Sequence, residues 1–231
     1  MNEQLVLPRI YEPVLEKYEK YRGLPKLSYS QITSYKDPLY KNQYILGYMF
    51  GIRDEGNVWA TYGSHCGDYI SSNGKDRGDM LSDADCEILD NSPKFVNPTY
   101  EDEICIDRGT YCIQGFSDIE STPSPGKVII VDNKTGAEKT KVAFYGGPEY
   151  MQTKMYAYHR EQEGFEIEDC YVLLYARLGN GYKSHPIRLS GNIIPIPTPY
   201  VKEEVEIFLE KVDVIAKEIS DMYKVFLKVN T

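Results

Sequence analysis

The chain has 231 residues, enough for one sizeable hydrophobic core but short for two full domains. Its formal net charge of −9 argues against a protein that coats nucleic acid without regard to sequence, because such proteins present a positive surface. No apolar run approaches the roughly 18 residues of a membrane helix, and the first residues do not resemble a signal peptide. We therefore expect a cytoplasmic protein that has no membrane partner.

The N-terminal third is predicted to be helical. Residues 27–47 favour two short helices, with Ser28 and Gln31 at capping-box spacing and Pro38 as the break between them. Residues 58–71 predict another helix. The segment 72–97 is rich in Gly, Asp, Asn and Ser, and we expect it to be a mobile excursion outside the core.

Strand patterns begin near residue 103, where residues 103–107 and 110–120 predict a hairpin around Arg108 and Gly109. Residues 128–131 (VIIV) are a continuous β-branched run, typical of a strand that is covered on both faces. The later predicted elements are a helix at 148–160, a hairpin of 169–176 with 183–189, a Pro-rich link at 194–200 and an amphipathic helix at 201–227. This order predicts a mixed α/β fold, a central sheet flanked by helices, in a single domain over 1–231.

A carboxylate and an ammonium follow the buried strand directly. Asp132 and Lys134 are two residues apart, so they point to the same face of that strand. Asp132 can bind a hard divalent cation, and the carbonyl of Asn133 could supply another oxygen ligand. Lys134 can orient or help deprotonate an attacking water and offset charge on a phosphate. A D-x-K pair alone is common on solvated strands, and its position after a buried strand gives it weight.

Further candidates lie on both sides of this motif. Asp118, in the segment GFSD, is on the preceding strand and can reach the same metal ion if the two strands pair. Gln152 and Tyr156 are four residues apart and share a helical face. Taken alone, Tyr156 fits a core position and Gln152 a solvated one equally well.

The segments GFSD (115–118), VIIVDNKTG (128–136) and Q-x-x-x-Y (152–156) together resemble the nuclease domain of the RecB branch of the PD-(D/E)XK superfamily, in its usual order. The segment LSYSQITSYKDPLY (27–40) resembles the N-terminal signature of the same branch. The resemblance spans roughly residues 27–189 and implies a restriction-endonuclease-like core.

This resemblance also implies an activity and a set of roles. The activity is that of a Mg²⁺- or Mn²⁺-dependent DNA nuclease. Asp118 and Asp132 would be metal ligands and Lys134 the catalytic lysine, while Gln152 and Tyr156 would contact DNA and support the site. Most members act as exonucleases or in recombination and repair, and a free-standing chain of this size resembles phage or mobile-element nucleases. The implied partners are DNA and a recombination or replication protein, in a bacterial or phage-infected cell.

The sequence departs from the family pattern at two places. The upstream helix usually carries G-x-x-x-H, but Gly67 stands where the histidine is expected, which leaves His65 and Asp68 as substitute ligands. Asp37 stands where many members have a cysteine, which some of them use with three more cysteines near the C-terminus to hold an iron–sulfur cluster, and no cysteine follows Cys170. An iron–sulfur cluster is therefore not expected, and the odd count of five cysteines predicts neither a disulfide framework nor a zinc site.

Two alternatives stay open at this point. One is a non-catalytic member of the same fold that binds DNA or a protein, which the altered upstream helix favours and the intact D-x-K disfavours. The other is a general α/β interaction module, in which Asp118, Asp132 and Lys134 need not meet.

Overall fold

A computed structural model describes residues 5–8, 18–21, 23–38, 40–50, 57–181 and 185–229. The chain divides into two compact units. Unit 1 comprises Met1–Glu55, Glu103–Gly115 and Lys202–Thr231, and unit 2 comprises Gly56–Asp102 and Phe116–Val201. The assignment of 1–231 to a single domain stays a prediction.

Helices and strands come in groups along the described chain. The helices are α1 (Tyr29–Lys36), α2 (Lys41–Tyr44), α3 (Val58–Ser71), α4 (Asp83–Asp90), α5 (Glu138–Tyr145), α6 (Gln152–Gln162) and α7 (Lys202–Val229). A 3-10 turn, Glu19–Tyr21, precedes them, and a π-helical turn, Ile45–Met49, continues α2. The strands are β1 (Lys26–Leu27), β2 (Pro98–Asp107), β3 (Cys112–Ser121), β4 (Lys127–Gly136), β5 (Glu166–Leu178) and β6 (Arg188–Pro197).

The described strands form one mixed sheet in the order β1-β3-β4-β5-β6, with β2 paired to β3. Strand β4 is antiparallel to β3 and parallel to β5, and β5 is antiparallel to β6. Parallel neighbours need a crossover connection, which α5 and α6 supply between β4 and β5. The predicted mixed α/β fold, a sheet flanked by helices, is confirmed. None of the helices that the structure describes combines the length and apolarity needed to cross a bilayer.

Unit 2 has its core where α3 and α4 cover the sheet. Asn57 caps α3 by accepting a hydrogen bond from the Ala60 N–H, and Tyr62, Cys66 and Tyr69 then recur on one buried face. They pack with residues of the strands and of α4, chiefly Ile119, Val131, Leu173, Tyr175 and Leu89. This packing fixes α3 across the sheet surface that carries the candidate site.

Unit 1 is built around the long amphipathic helix α7, whose described end agrees closely with its predicted one. Its buried stripe runs through Val205, Leu209, Val212 and Ile219. Helix α1 begins with the predicted capping box, in which Ser28 and Gln31 each bond the backbone of the other.

Four local predictions need correction. Segment 72–97 is not an excursion: it contains α4, and Leu81 and Leu89 are 4% and 3% exposed in the unit 2 core. Helix α5 was not predicted, and α6 begins at Gln152 rather than at 148.

The second hairpin strand is β6, so most of the predicted Pro-rich link is strand. Prolines are tolerated there because β6 is an edge strand, where a missing N–H breaks no ladder bond. Lys183, the predicted start of that strand, lies outside the described residues.

Candidate active site

A cavity of about 610 Å³ opens on unit 2, and all the residues that line it belong to that unit. Helix α3 forms one wall, and strands β2, β3, β4 and β5 with helix α5 supply the other lining residues. A volume of this size is within the range of small-ligand pockets. Asp118, Asn133 and Lys134 are among the residues that line it.

The pairing of β3 with β4 brings the predicted motifs together. Ile119 lies opposite Val131 in the antiparallel register, so the next residues along the two strands, Asp118 and Asp132, are neighbours. Burial and the negative charge of Asp132 raise the pKa of Asp118 to about 7, although Lys134 acts in the opposite direction. A buried carboxylate whose ionisation is opposed by a neighbouring carboxylate forms a site that a cation would stabilise.

Asp132 itself lies behind the cavity rather than on its wall. It is 0% exposed, and both of its oxygens lie within 2.8 Å of Lys134 Nζ. The Tyr150 hydroxyl donates a further hydrogen bond of 2.6 Å to Asp132 Oδ2. Burial opposes the charged form of Lys134, but Asp132 and Asp118 outweigh burial and raise its pKa. Because Asp132 is fully covered by its neighbours, a metal ion can reach its carboxylate only when a covering side chain such as Lys134 or Tyr150 moves away.

Asn133 contributes in two ways. Its backbone N–H donates a 2.6 Å hydrogen bond to Asp118 Oδ2, which fixes the Asp118 carboxylate against β4. Its side-chain Oδ1 is buried and has no hydrogen-bond partner among the described residues, although the residue lines the cavity. A buried acceptor without a partner costs about 1–3 kcal/mol, so this oxygen is a reason to expect a bound ligand.

The two candidates on α3 are placed differently. Asp68 lines the cavity, together with Gly63, Ser64 and Gly67 on the same helical face. His65 is absent from the described lining residues, and its imidazole packs against Gly78, where an added Cβ would lie 2.5 Å from His65 Cγ. The suggestion that His65 is a metal ligand is therefore not supported by its position.

Glu101 is a site residue that the sequence analysis missed. It lines the cavity, and its pKa is raised by partial burial and by Asp68, and less so by Asp132. Its φ of 51° is unusual for a residue other than glycine, and such a conformation costs of the order of 1–3 kcal/mol. Its only sequence signal is a carboxylate just before the predicted strand 103–107, which by itself does not indicate a site.

Gln152 and Tyr156 lie beside the Asp132 pair rather than on the cavity wall. Gln152 Nε2 donates to the Tyr156 hydroxyl at 3.0 Å, and Gln152 Oε1 lies 3.3 Å from the Tyr150 hydroxyl. Burial and Asp132 raise the pKa of Tyr156. The pair is thus connected to Asp132 through Tyr150, which the sequence analysis did not single out. Contact with DNA through Gln152 and Tyr156 stays a prediction.

The donor set suits a hard divalent cation. Its candidate members are oxygens: the carboxylates of Asp118, Asp132, Asp68 and Glu101, and the unpartnered amide oxygen of Asn133. Within the described part of the chain, no three His, Cys, Asp or Glu side chains already form a group able to hold a metal ion. The residues therefore fit Mg²⁺ or Mn²⁺ by chemistry, and the covered carboxylate of Asp132 would have to be opened.

Comparison with known proteins gives similarity of fold. No family model matches the chain, and no curated protein matches it in sequence. A solved structure from Eubacterium rectale, named a "putative exonuclease", is similar with a TM-score of 0.55 and 14% identity, over 94% of this chain and 88% of that one. The structure of SSO0001 is matched with a TM-score of 0.45 and 14% identity, over 82% of this chain and 76% of that one.

Proposed function

We propose that this chain is a divalent-metal-dependent nuclease of the RecB branch of the PD-(D/E)XK superfamily, and that it hydrolyses DNA phosphodiesters. The observation that carries the proposal is the meeting of Asp118, Asn133 and Lys134 at one cavity, with Asp132 paired to Lys134 immediately behind them. The similarity of fold to the Eubacterium rectale protein, which is named a "putative exonuclease", supports a nuclease.

Each residue has a role that follows from its position. Asp118 and Asp132 would hold Mg²⁺ or Mn²⁺, with Asn133 and Asp68 as further oxygen ligands. When bound, such a cation lowers the pKa of a coordinated water and polarises the phosphate. Lys134 would leave Asp132 and donate to a phosphate oxygen, where its charge offsets the charge that develops during attack. Tyr150 would hold the Asp132 side chain until the cation takes the place of its hydroxyl at Oδ2, and Gln152 lies beside that hydroxyl.

The experiment is a cleavage assay on the purified chain with linear and circular DNA, single- and double-stranded, in Mg²⁺, Mn²⁺ or EDTA. We expect cleavage in the metal-containing arms alone, with loss of cleavage in the Asp118→Asn variant. Linear substrates cut in preference to circular ones would assign an exonuclease. A wild-type chain that binds Mg²⁺ but cuts none of these substrates would exclude a DNA nuclease.

A second candidate is a non-catalytic protein of the same fold that binds DNA or a protein. It is favoured by the pairing of both Asp132 oxygens with Lys134 and by the absence of a ready-made ligand group among the described side chains. Calorimetric titration with Mn²⁺ separates the two. Binding that is lost in Asp118→Asn supports the nuclease, and no binding at millimolar Mn²⁺ supports the non-catalytic protein.

A further inference from the structure

Arg177 occupies an unusual position on the cavity wall. It follows Ala176, which pairs with Gly136 near the end of β4. Its guanidinium carbon lies 3.8 Å from the centre of the Trp59 ring, and both residues line the cavity. Trp59 is the only tryptophan of the chain. An arginine stacked on an indole is held in one plane, which leaves its N–H edge free to bind.

The N–H edge of Arg177 is incompletely used. Its Nε and Nη1 atoms are buried, and neither has a hydrogen-bond partner among the described residues. Leaving a buried donor unpaired costs about 1–3 kcal/mol, and more when the group is charged. Burial lowers the pKa of Arg177, as expected for a cation without a compensating anion. A guanidinium in this state is complementary to an anion, above all to a phosphate, which can accept two parallel bonds from Nη2 together with either Nε or Nη1.

Two neighbouring features add to the positive character of this wall. Lys141 of α5 lines the cavity, and its side chain lies over Gly136, where an added Cβ would come within 2.5 Å of Lys141 Cγ. The N-terminus of the 14-residue helix α3 is also there, since Asn57 and Ala60 line the cavity. Unpaired N–H groups and the helix dipole at such an end favour anions. Asp68 lies about three turns further along α3, roughly 16 Å away, so the cavity has a cationic and an acidic end.

We propose that Arg177, supported by Trp59 and joined by Lys141, forms a subsite that binds a non-scissile phosphate of the substrate DNA strand. The substrate rests on the proposed function. Lys134 and Gly136 are about 7 Å apart along β4, and Arg177 lies just past the partner of Gly136. The bound phosphate is therefore distinct from the phosphodiester at Lys134 and belongs to a nearby nucleotide of the same strand. The subsite would thereby set how the strand enters the cavity.

The test scans the charge of the DNA backbone. Oligonucleotides carrying one neutral methylphosphonate linkage, moved one position at a time, are bound by the wild-type chain in Ca²⁺ and in EDTA, so that cleavage is not needed. We expect one or two positions at which neutralising a phosphate weakens wild-type binding. The Arg177→Gln variant should bind the unmodified strand as weakly as the wild type binds a strand neutralised at one of those positions. Neutralising the same positions should not weaken the binding of this variant further.

Salt dependence gives a second readout that a purely structural role of Arg177 would not change. Removing one phosphate contact should reduce the slope of log K against log salt concentration by about 0.7 for a single strand. Arg188→Gln, at an exposed position of β6, is the matched control and should keep both the wild-type slope and the wild-type scan. Arg177→Lys keeps the charge but not the two parallel donors, so it replaces Arg177→Gln if that variant does not fold. It should bind DNA more weakly than the wild type but keep the wild-type slope of log K against log salt concentration.

The outcomes separate this inference from the proposed function. An Arg177→Gln chain that is folded and keeps the wild-type scan overturns the subsite, even if the wild type cuts DNA. A wild-type chain with no sensitive position, or with no binding in either buffer, overturns it too. The expected scan in a chain that never cuts DNA supports the subsite and contradicts the nuclease.

Discussion

Two clusters of charged side chains are buried in unit 2, and they differ in whether they adjoin the cavity and its unpartnered polar atoms. In the first, the Arg160 cluster, Arg160 is 2% exposed and forms ion pairs with Glu120 at 2.7 Å, Asp102 at 2.7 Å and Glu163. Ser117 donates to Glu120 as well, at 2.6 Å. In the second, the Asp132 cluster of Asp118, Asp132 and Lys134, one cation serves two carboxylates beside the cavity.

The difference provides a criterion for separating a structural charge cluster from a candidate site. Glu120 and Asp118 are two residues apart on β3, and both belong to buried or partly buried charge clusters. The Arg160 cluster does not contribute to the described cavity wall, and its members saturate one another. The Asp132 cluster adjoins a cavity, an orphaned Asn133 oxygen and a strained Glu101. Unsatisfied atoms at an accessible wall, rather than burial of charge, therefore mark the candidate site.

The largest expected effect is on catalysis, in Asp132→Asn. The amide keeps the shape of the side chain and can still accept from Lys134, but it loses the charge that holds a cation. Removal of one electrostatic group from an active site lowers the rate by about 10²–10³-fold. We expect the rate of DNA cleavage to fall by at least this factor. Cleavage of labelled DNA, measured beside the melting temperature, tests this.

The matched control is Glu168→Gln, which removes an exposed carboxylate from β5 and should leave cleavage unchanged. If Asp132→Asn is folded and cuts DNA at the wild-type rate, the Asp132 cluster is not catalytic and the contrast with the Arg160 cluster has no functional meaning.

Arg160→Met should have the largest effect on folding. It leaves Glu120 buried without its cation, and breaking a buried ion pair on one side costs about 3–5 kcal/mol. The melting temperature should fall by roughly 2–4 °C for each kcal/mol. Activity per folded molecule should stay near the wild-type value. Arg188→Met is the exposed control and should change stability by less than about 0.5 kcal/mol. A stable Arg160→Met chain that has lost cleavage would reverse the roles of the two clusters.

Tyr150→Phe probes the cover on Asp132. Losing a hydrogen bond to a buried charged group should lower the free energy of unfolding by about 1.5–3 kcal/mol in EDTA. Because the same oxygen is a proposed metal ligand, saturating Mg²⁺ should stabilise the variant more than the wild type and narrow that difference. Urea unfolding of the wild type and of Tyr150→Phe, each in EDTA and in Mg²⁺, measures this difference in the free energy of unfolding. An equal difference with and without Mg²⁺ would show that the hydroxyl and the cation do not compete for Asp132.

Local sequence patterns were sufficient for one part of the site. The run VIIV before Asp132 identified a covered strand, and the two-residue period then put Asp132 and Lys134 on one face. Tyr150, Glu101 and Arg177 could not be found in that way. Each reaches the site through tertiary structure: Tyr150 from the segment just before α6, Glu101 from a left-handed position in β2, and Arg177 from the far end of β5.

Composition alone is misleading where polar residues cap a helix instead of forming a loop. Ser82 and Asp85 form a capping box at the start of α4, in a segment that polarity alone assigns to a loop. Asp85 then accepts from the Leu189 backbone N–H of β6 at 2.8 Å, a contact between residues distant in sequence. The prolines of β6 were equally ambiguous, because only the sheet order shows that this strand lies at an edge.

The smallest expected effect concerns Gly67, where the family pattern has a histidine. An added Cβ at Gly67 meets nothing within 4 Å, so Gly67→Ala should stabilise the chain by about 0.5–1 kcal/mol through the lower entropy cost of a helical alanine. Gly63 lies one turn earlier on the same wall, but there the Cβ would come 3.1 Å from Thr135 Oγ1 of β4. Gly63→Ala should therefore gain less, or lose stability, because Thr135 must shift. Urea unfolding of the pair measures the difference. If both substitutions stabilise the chain equally, α3 is not held against β4 at Gly63, and the acidic end of the cavity is less rigid than its geometry implies.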